Sequence, residues 1–240
     1  MTDPRSPIDD DLLALGGLSI PPPSPALLAV VRRTDRVVRR DPRLAVGAVI
    51  LVALAALIIH LHSHGIRRDL AALPHWWLWT MTAAWFAAFV APLAVALVPW
   101  RHSMLVDVRA ARLVAFSIPA LAIAMAAVLR IDAPGATRLL TSAADVTAEL
   151  EWCLVTGIEM IAVPFTLGIV MLRRGPLPVY RRWVGAALGA ANGALAGLML
   201  HLACDVGGAF HTGVSHGGQA VIGALAGSLL VPAFTATAAR

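Results

Sequence analysis

The sequence predicts an all-α integral membrane protein with six transmembrane helices and both termini in the cytoplasm. Three observations lead there. Hydrophobic residues make up 59% of the 240 residues and charged residues only 14%, too little polar material to cover a water-soluble core of that size. Six stretches approach or exceed the roughly 20 apolar residues that a bilayer crossing needs. The 19 basic residues are all Arg, and the connections that hold them alternate between Arg-rich and Arg-poor. The composition also excludes a chain disordered throughout. Two Cys are not a disulfide framework.

Residues 1–43 are expected to form a cytoplasmic tail in three parts. Pro7 to Ile20 (PIDDDLLALGGLSI) opens with Asp9, Asp10 and Asp11, which cap and begin a short helix. Leu12, Leu13 and Leu15 then make an apolar strip, followed by Gly16-Gly17 as a stop and by Leu18. Pro21 to Pro25 is a stiff extended spacer. Ala26 to Arg43 carries six Arg among apolar residues and suits a helix lying on anionic lipid. Composition leaves two readings of the tail: a peptide that folds into the groove of a soluble partner, or a segment that only sets topology. No cleavable signal peptide is visible, so the first crossing is expected to be an uncleaved anchor.

The transmembrane domain, residues 44–234, follows. Its predicted crossings are Leu44–His62, Trp76–Pro99, Leu113–Ile131, Leu150–Leu172, Trp183–Ala203 and Gly217–Phe234, and residues 235–240 form a short cytoplasmic end. With the N-terminus inside, the cytoplasmic side holds 15 Arg and the outer side only Arg67, Arg68, Arg130 and Arg138, which is a positive-inside pattern. Trp76, Trp77, Trp79, Trp100, Trp152 and Trp183 lie at segment ends, where interfacial aromatics belong. Pro92, Pro119 and Pro164 fall inside predicted helices.

The chemistry gathers on the outer side. Seven of the eight His (His60, His62, His64, His75, His201, His211, His216) and both Cys lie there in this topology. Imidazole and thiolate are ligands for transition and heavy metals. His60 and His64 are four apart and share a helix face. His201 precedes Cys204 by three, with Asp205 beside it, and Glu149 precedes Cys153 by four. His60, His64, His201, Asp205 and Glu149 are therefore candidate metal ligands. A transition or heavy metal ion acting as a signal is the one cofactor-like group expected. The two Cys could bind metal, pair as a disulfide, or be plain buried thiols.

Glu159 lies deep in the fourth crossing, where a carboxylate costs roughly 2.5–3.5 kcal/mol. It is expected to face the bundle with Asn192 as its hydrogen-bond partner. Gly185, Gly189, Gly193 and Gly197 form a small-residue stripe on the fifth crossing, with Gly223 and Gly227 on the sixth as its counterpart. No phosphate loop, GxSxG, HExxH or dinucleotide fingerprint occurs, so an enzyme is not expected.

Several stretches together resemble the NrsF-like family of bacterial six-helix membrane anti-sigma factors. They are Trp152-Cys153-Leu154, Ile161 to Pro164, Arg173-Arg174-Gly175-Pro176, the Gly-rich fifth crossing, and its end His201-Leu202-Ala203-Cys204-Asp205. Phe210, Gly223 to Gly227 and the tail stretch Asp10 to Leu18 (DDLLALGGL) add to the likeness. The resemblance implies a negative regulator at the bacterial inner membrane that sequesters an extracytoplasmic-function sigma factor and contacts no nucleic acid directly. It implies that Cys153 and Cys204 are the sensor thiols, which respond to metal or oxidative stress so that the sigma factor is released. It also implies that Asp10, Asp11, Leu12, Leu13, Leu15 and Leu18 bind the partner. The alternative is a small membrane carrier or metal-handling protein using the outer His and Cys with Glu159.

Overall fold

Long apolar runs with few charges propagate helix through tertiary packing rather than through propensity, and six of them do so here. The structure is a computed structural model that describes residues 24–25, 42–98, 108–129, 131, 137–140, 142–174 and 180–236. The helices are α1 (Pro42–His64), α2 (His75–Leu97), α3 (Val108–Val128), α4 (Ala143–Arg174) and α5 (Arg181–Ala203). Then α6 begins as Ala209–His211, passes through a π-helical turn at Thr212–Gly217, and continues as Gly218–Ala236. All six are long and apolar enough to cross a membrane. Among the described residues there is no strand, only one parallel bridge between Arg138 and Val206. The partner-binding candidates Asp10, Asp11, Leu12, Leu13, Leu15 and Leu18, the spacer up to Pro23, Arg130 and residues 237–240 lie outside the described residues.

Local signals explain several boundaries. Pro42 opens α1, where a missing N–H costs nothing. Ser142 starts α4 by a reciprocal cap: its Oγ accepts from the Asp145 N–H at 3.1 Å and donates to the Asp145 carboxylate at 2.6 Å. Consequently α4 begins at Ala143 rather than near Leu150, and the preceding connection is shorter than its polar composition suggests.

Helix α5 is the axis of the bundle. Every residue from Val184 to His201 is buried, and α2, α3, α4 and α6 all pack on it. Its small side chains permit this. A Cβ added at Gly185 or Gly189 would enter the backbone of Gly227 or Gly223, and one at Gly193 would enter that of Gln219. The α5–α6 pair is therefore in backbone contact. Gly197 instead faces the Trp85 ring and the His216 carbonyl. The outside of the bundle is apolar: Leu51, Ile58, Phe116, Leu225 and Leu229 are each more than 60% exposed, an exterior suited to lipid rather than water.

The helices alternate in direction, so the connections after α1, α3 and α5 share one end, here called the His-rich end. They are tied together there. Arg67 N–H donates to the Leu202 carbonyl (2.9 Å), Arg138 N–H to that of Asp205 (2.9 Å) and Gly207 N–H to that of Arg138 (2.8 Å). The sixth predicted crossing differs most from expectation. The run His211 to Gly217 has the hydropathy of a loop, yet it is helical and largely buried. Some of its polar groups are satisfied internally, as where the Thr212 hydroxyl donates to the Ala126 carbonyl at 2.7 Å. Gly217 lets the turn lie against the α3 backbone at Ile123.

Candidate metal centre

Two thiols and two imidazoles converge inside the His-rich end. Cys153 comes from α4, on the buried face it shares with Thr156, Gly157 and Met160. Cys204 caps the C-terminus of α5. His211 immediately precedes the π-helical turn of α6 and His216 lies within it. In an α-helix, residues five apart point about 140° away from each other at 3.6 residues per turn. The wider π-turn, closed by i→i+5 bonding, brings them to one side. The two rings meet edge to face with centroids 5.5 Å apart.

His211 Nε2 is 3.5 Å from Cys204 Sγ and 3.8 Å from Cys153 Sγ. One ligand atom from each of the four residues lies within 4.8 Å of the other three. All four residues are buried and both thiols are free. The supporting shell is polar: Ser215 Oγ lies 3.4 Å from His211 Nδ1, and the Gln219 amide donates to the Cys153 carbonyl at 3.2 Å. His216 Nε2 has no hydrogen-bond partner.

Above Cys204 lies a cavity of about 400 Å3 lined by His64, Arg68, Arg138, Glu149 and Asp205 among others. Arg138 bridges its acidic wall, with Nη2 2.5 Å from Glu149 Oε1 and Nε 3.6 Å from Asp205 Oδ1. Burial disfavours the Arg138 cation, but the two carboxylates outweigh this and hold it more firmly protonated than usual. Beside the cavity the loop after α1 carries a buried ion pair. Arg67 grips Asp69 with Nε–Oδ1 at 2.5 Å and Nη2–Oδ2 at 2.7 Å, and also donates to the His201 carbonyl at 3.2 Å. Thr137 adds a hydrogen bond to Asp69 at 2.6 Å. Burial raises the Asp69 pKa, while Arg67 and Thr137 more than offset it and hold the carboxyl below its ordinary value.

Several expected ligands are placed elsewhere. His201 does not join Cys204, because the chain leaves the helix at Cys204 (φ −93°, ψ 122°) and the three-residue helical spacing no longer applies. Its ring lies 5.0 Å from that of Trp77. Glu149 and Asp205 are held by Arg138 rather than turned to the thiols. His60 and His64 stack at 5.7 Å and form a separate group with Glu159, His64 Nε2 being 3.9 Å from its carboxylate. Glu159 thus turns towards α1 and is 54% exposed, not paired with Asn192 inside the bundle. The buried face of α4 runs through Cys153, Thr156, Gly157, Met160 and Pro164, and Glu159 lies off it. Asn192 donates to the Leu188 carbonyl of its own helix at 2.8 Å. The sequence places His211 and His216 among the outer-side His but does not single them out as ligands, and five is not an α-helical pair spacing.

A family model described as negative regulator of sigma F, NrsF, matches residues 29–236. The chain belongs to the NrsF family. That match takes in all six helices, both thiols and both imidazoles, and it begins after the Asp10 to Leu18 stretch. NrsF is a regulatory family and not an enzyme class, and its description implies a sigma factor as the partner of this NrsF-family chain. No curated protein and no solved structure matches the chain.

Proposed function

We propose that this chain is an anti-sigma factor of the bacterial inner membrane. It crosses the membrane six times with both termini in the cytoplasm, and it retains an extracytoplasmic-function sigma factor through its N-terminal tail. Metal or oxidant acting on Cys153 and Cys204 at the outer side releases that partner. The observation that carries this reading is the NrsF match over residues 29–236, joined to a bundle with thiols at one end and most of its Arg at the other. The Arg asymmetry supports the orientation. The acidic and Leu-rich stretch Asp10 to Leu18 supports a helix-in-groove contact.

Release requires two states that the stimulus distinguishes, since a stimulus acting equally on both shifts nothing. The packing supplies a connection. Cys204 ends the same α5 whose other end, Arg181 and Arg182, lies at the Arg-rich side. A carrier reading is less well supported, because a carrier needs a polar route. The axis is filled by α5, whose buried polar side chains are Asn192 and His201.

Deleting Met1 to Ile20 tests the partner contact. The shortened chain should insert at normal abundance yet no longer retain the sigma factor, so that its target genes are constitutively active. Normal repression by an inserted, deleted chain would move the contact to the connections around Arg109 or Arg181. Reporter fusions test the orientation. A fusion after Arg67 should report an extracytoplasmic position and a fusion after Arg240 a cytoplasmic one, and the reverse result would invert the topology.

A further inference from the structure

We propose that Cys153, Cys204, His211 and His216 form a preformed tetrahedral site for a thiophilic divalent cation of the zinc or cadmium class. This rests on the sensing reading above and deepens it. It selects metal over disulfide, and it adds two ligands from a third helix.

Distances support this first. With bonds of about 2.3 Å to sulfur and about 2.0–2.1 Å to nitrogen, a tetrahedral ion has ligand–ligand edges of roughly 3.3–3.8 Å. The two sulfur–nitrogen distances from His211 already stand at 3.5 and 3.8 Å. No ligand pair exceeds 4.8 Å, so closure on an ion takes a contraction of at most about 1.5 Å along any edge. Such distances also suit hydrogen bonds from thiol to imidazole, which would satisfy His211. They account less fully for His216: its Nε2 is buried without a partner in good hydrogen-bond geometry although the ring lies beside the Cys204 thiol, and a metal bond would satisfy it.

Charge points the same way. Two thiolates and two neutral imidazoles carry −2, which a divalent cation cancels, so the loaded site is neutral in a buried place. Four protein ligands with no open position make it a binding site rather than a hydrolytic one. Ser215 orients the His211 ring through Nδ1, the outer-shell arrangement typical of metal-bound histidine. Access exists as well, because Cys204 lines the cavity of about 400 Å3 that also touches His64 and the acidic pair Glu149 and Asp205.

The mechanical consequence differs from that of a disulfide. A disulfide would join only α4 to the end of α5. An ion joins α4, the end of α5 and, through His211 and His216, the π-turn in α6. It therefore clamps the turn that lies against α3 at Gly217. Binding displaces the two thiol protons to solvent, so affinity falls as the medium is acidified.

Co2+ is the probe. Added to the reduced, full-length chain in detergent without any partner protein, one equivalent should give tetrahedral ligand-field bands and a thiolate-to-cobalt charge-transfer band. Zn2+ or Cd2+ should bleach both. Cys153→Ser with Cys204→Ser should abolish the charge-transfer band. His211→Gln and His216→Gln should each weaken Co2+ binding by more than the roughly 10–100-fold that losing an outer-shell partner costs. Ser215→Ala should fall within that range, and it serves if a His variant fails to fold as judged by metal-free thermal unfolding. His60→Ala with His64→Ala should keep the band, and any Co2+ lost there belongs to the separate group with Glu159. No charge-transfer band in the parent chain, or a band indifferent to His211 and His216 in folded variants, overturns the site. Sigma-factor retention is measured separately. Cobalt bound as described without partner release upholds the site and removes metal as the releasing signal. Peroxide-driven release by a chain that binds no Co2+ upholds the regulator and removes the site.

Discussion

Gly189→Val should leave almost no folded protein. A Cβ at Gly189 would fall inside the Gly223 carbonyl, and the close approach is reciprocal, since a Cβ on Gly223 would enter the Gly189 carbonyl. The helix axes themselves would have to separate along the α5–α6 contact. Overpacking costs about 1–3 kcal/mol when side chains can adjust. Here the obstacle is backbone, so the loss should exceed that range and be comparable with total stability. Abundance in membranes and the thermal unfolding midpoint in detergent measure it. Gly47→Ala is the control, since nothing lies within 4 Å of a Cβ there. It should be neutral or slightly stabilising, by about 0.5–1 kcal/mol, because Ala restricts the unfolded chain. Equal behaviour of the two variants would mean that the glycine stripe does not set the α5–α6 distance.

Asp69→Asn should release the loop after α1. Asp69 is 1% exposed and Arg67 7% exposed, so the substitution strands a buried guanidinium. Breaking a buried pair from one side costs roughly 3–5 kcal/mol, and the lower end applies here because Arg67 keeps its bond to the His201 carbonyl. Alkylation of Cys204 by a membrane-impermeant reagent should become faster, since the loop covers the end of α5. Arg67→Met combined with Asp69→Leu should recover most of the stability, because it removes both charges together. A double variant no better than the single one would show that the loop depends on shape and not on the ion pair. The pH response has a defined sign. The folded-state pKa of Asp69 lies below its ordinary 3.8. Its stabilisation is therefore fully present above the unfolded value and is lost as pH falls through the folded one. The cap should hold at neutral and mildly acidic pH.

The helices were legible because lipid-length apolar runs need no partner to be recognised. Their ends were less so: α4 starts earlier because Ser142 and Asp145 cap each other, and α6 starts earlier because a polar run is helical and buried inside the protein. The candidate centre was half legible. Cys153 and Cys204 stood out as the two thiols, both on the outer side of the predicted topology. His211 and His216 did not, because recognising them requires knowing that the intervening turn is π-helical.

Composition, apolar run length and Arg placement by themselves pointed to six helices and their alternation, and particular stretches such as Trp152-Cys153-Leu154 and His201 to Asp205 carried the family likeness, since each is a property of a segment alone. Which polar groups face one another was decided only by the tertiary structure. His201 and Cys204 part company where α5 ends, Glu159 turns to His64, and Arg138 claims Glu149. The reason is that a side chain's direction depends on where its helix stops and which face a central neighbour covers. Spacing within one segment carries neither.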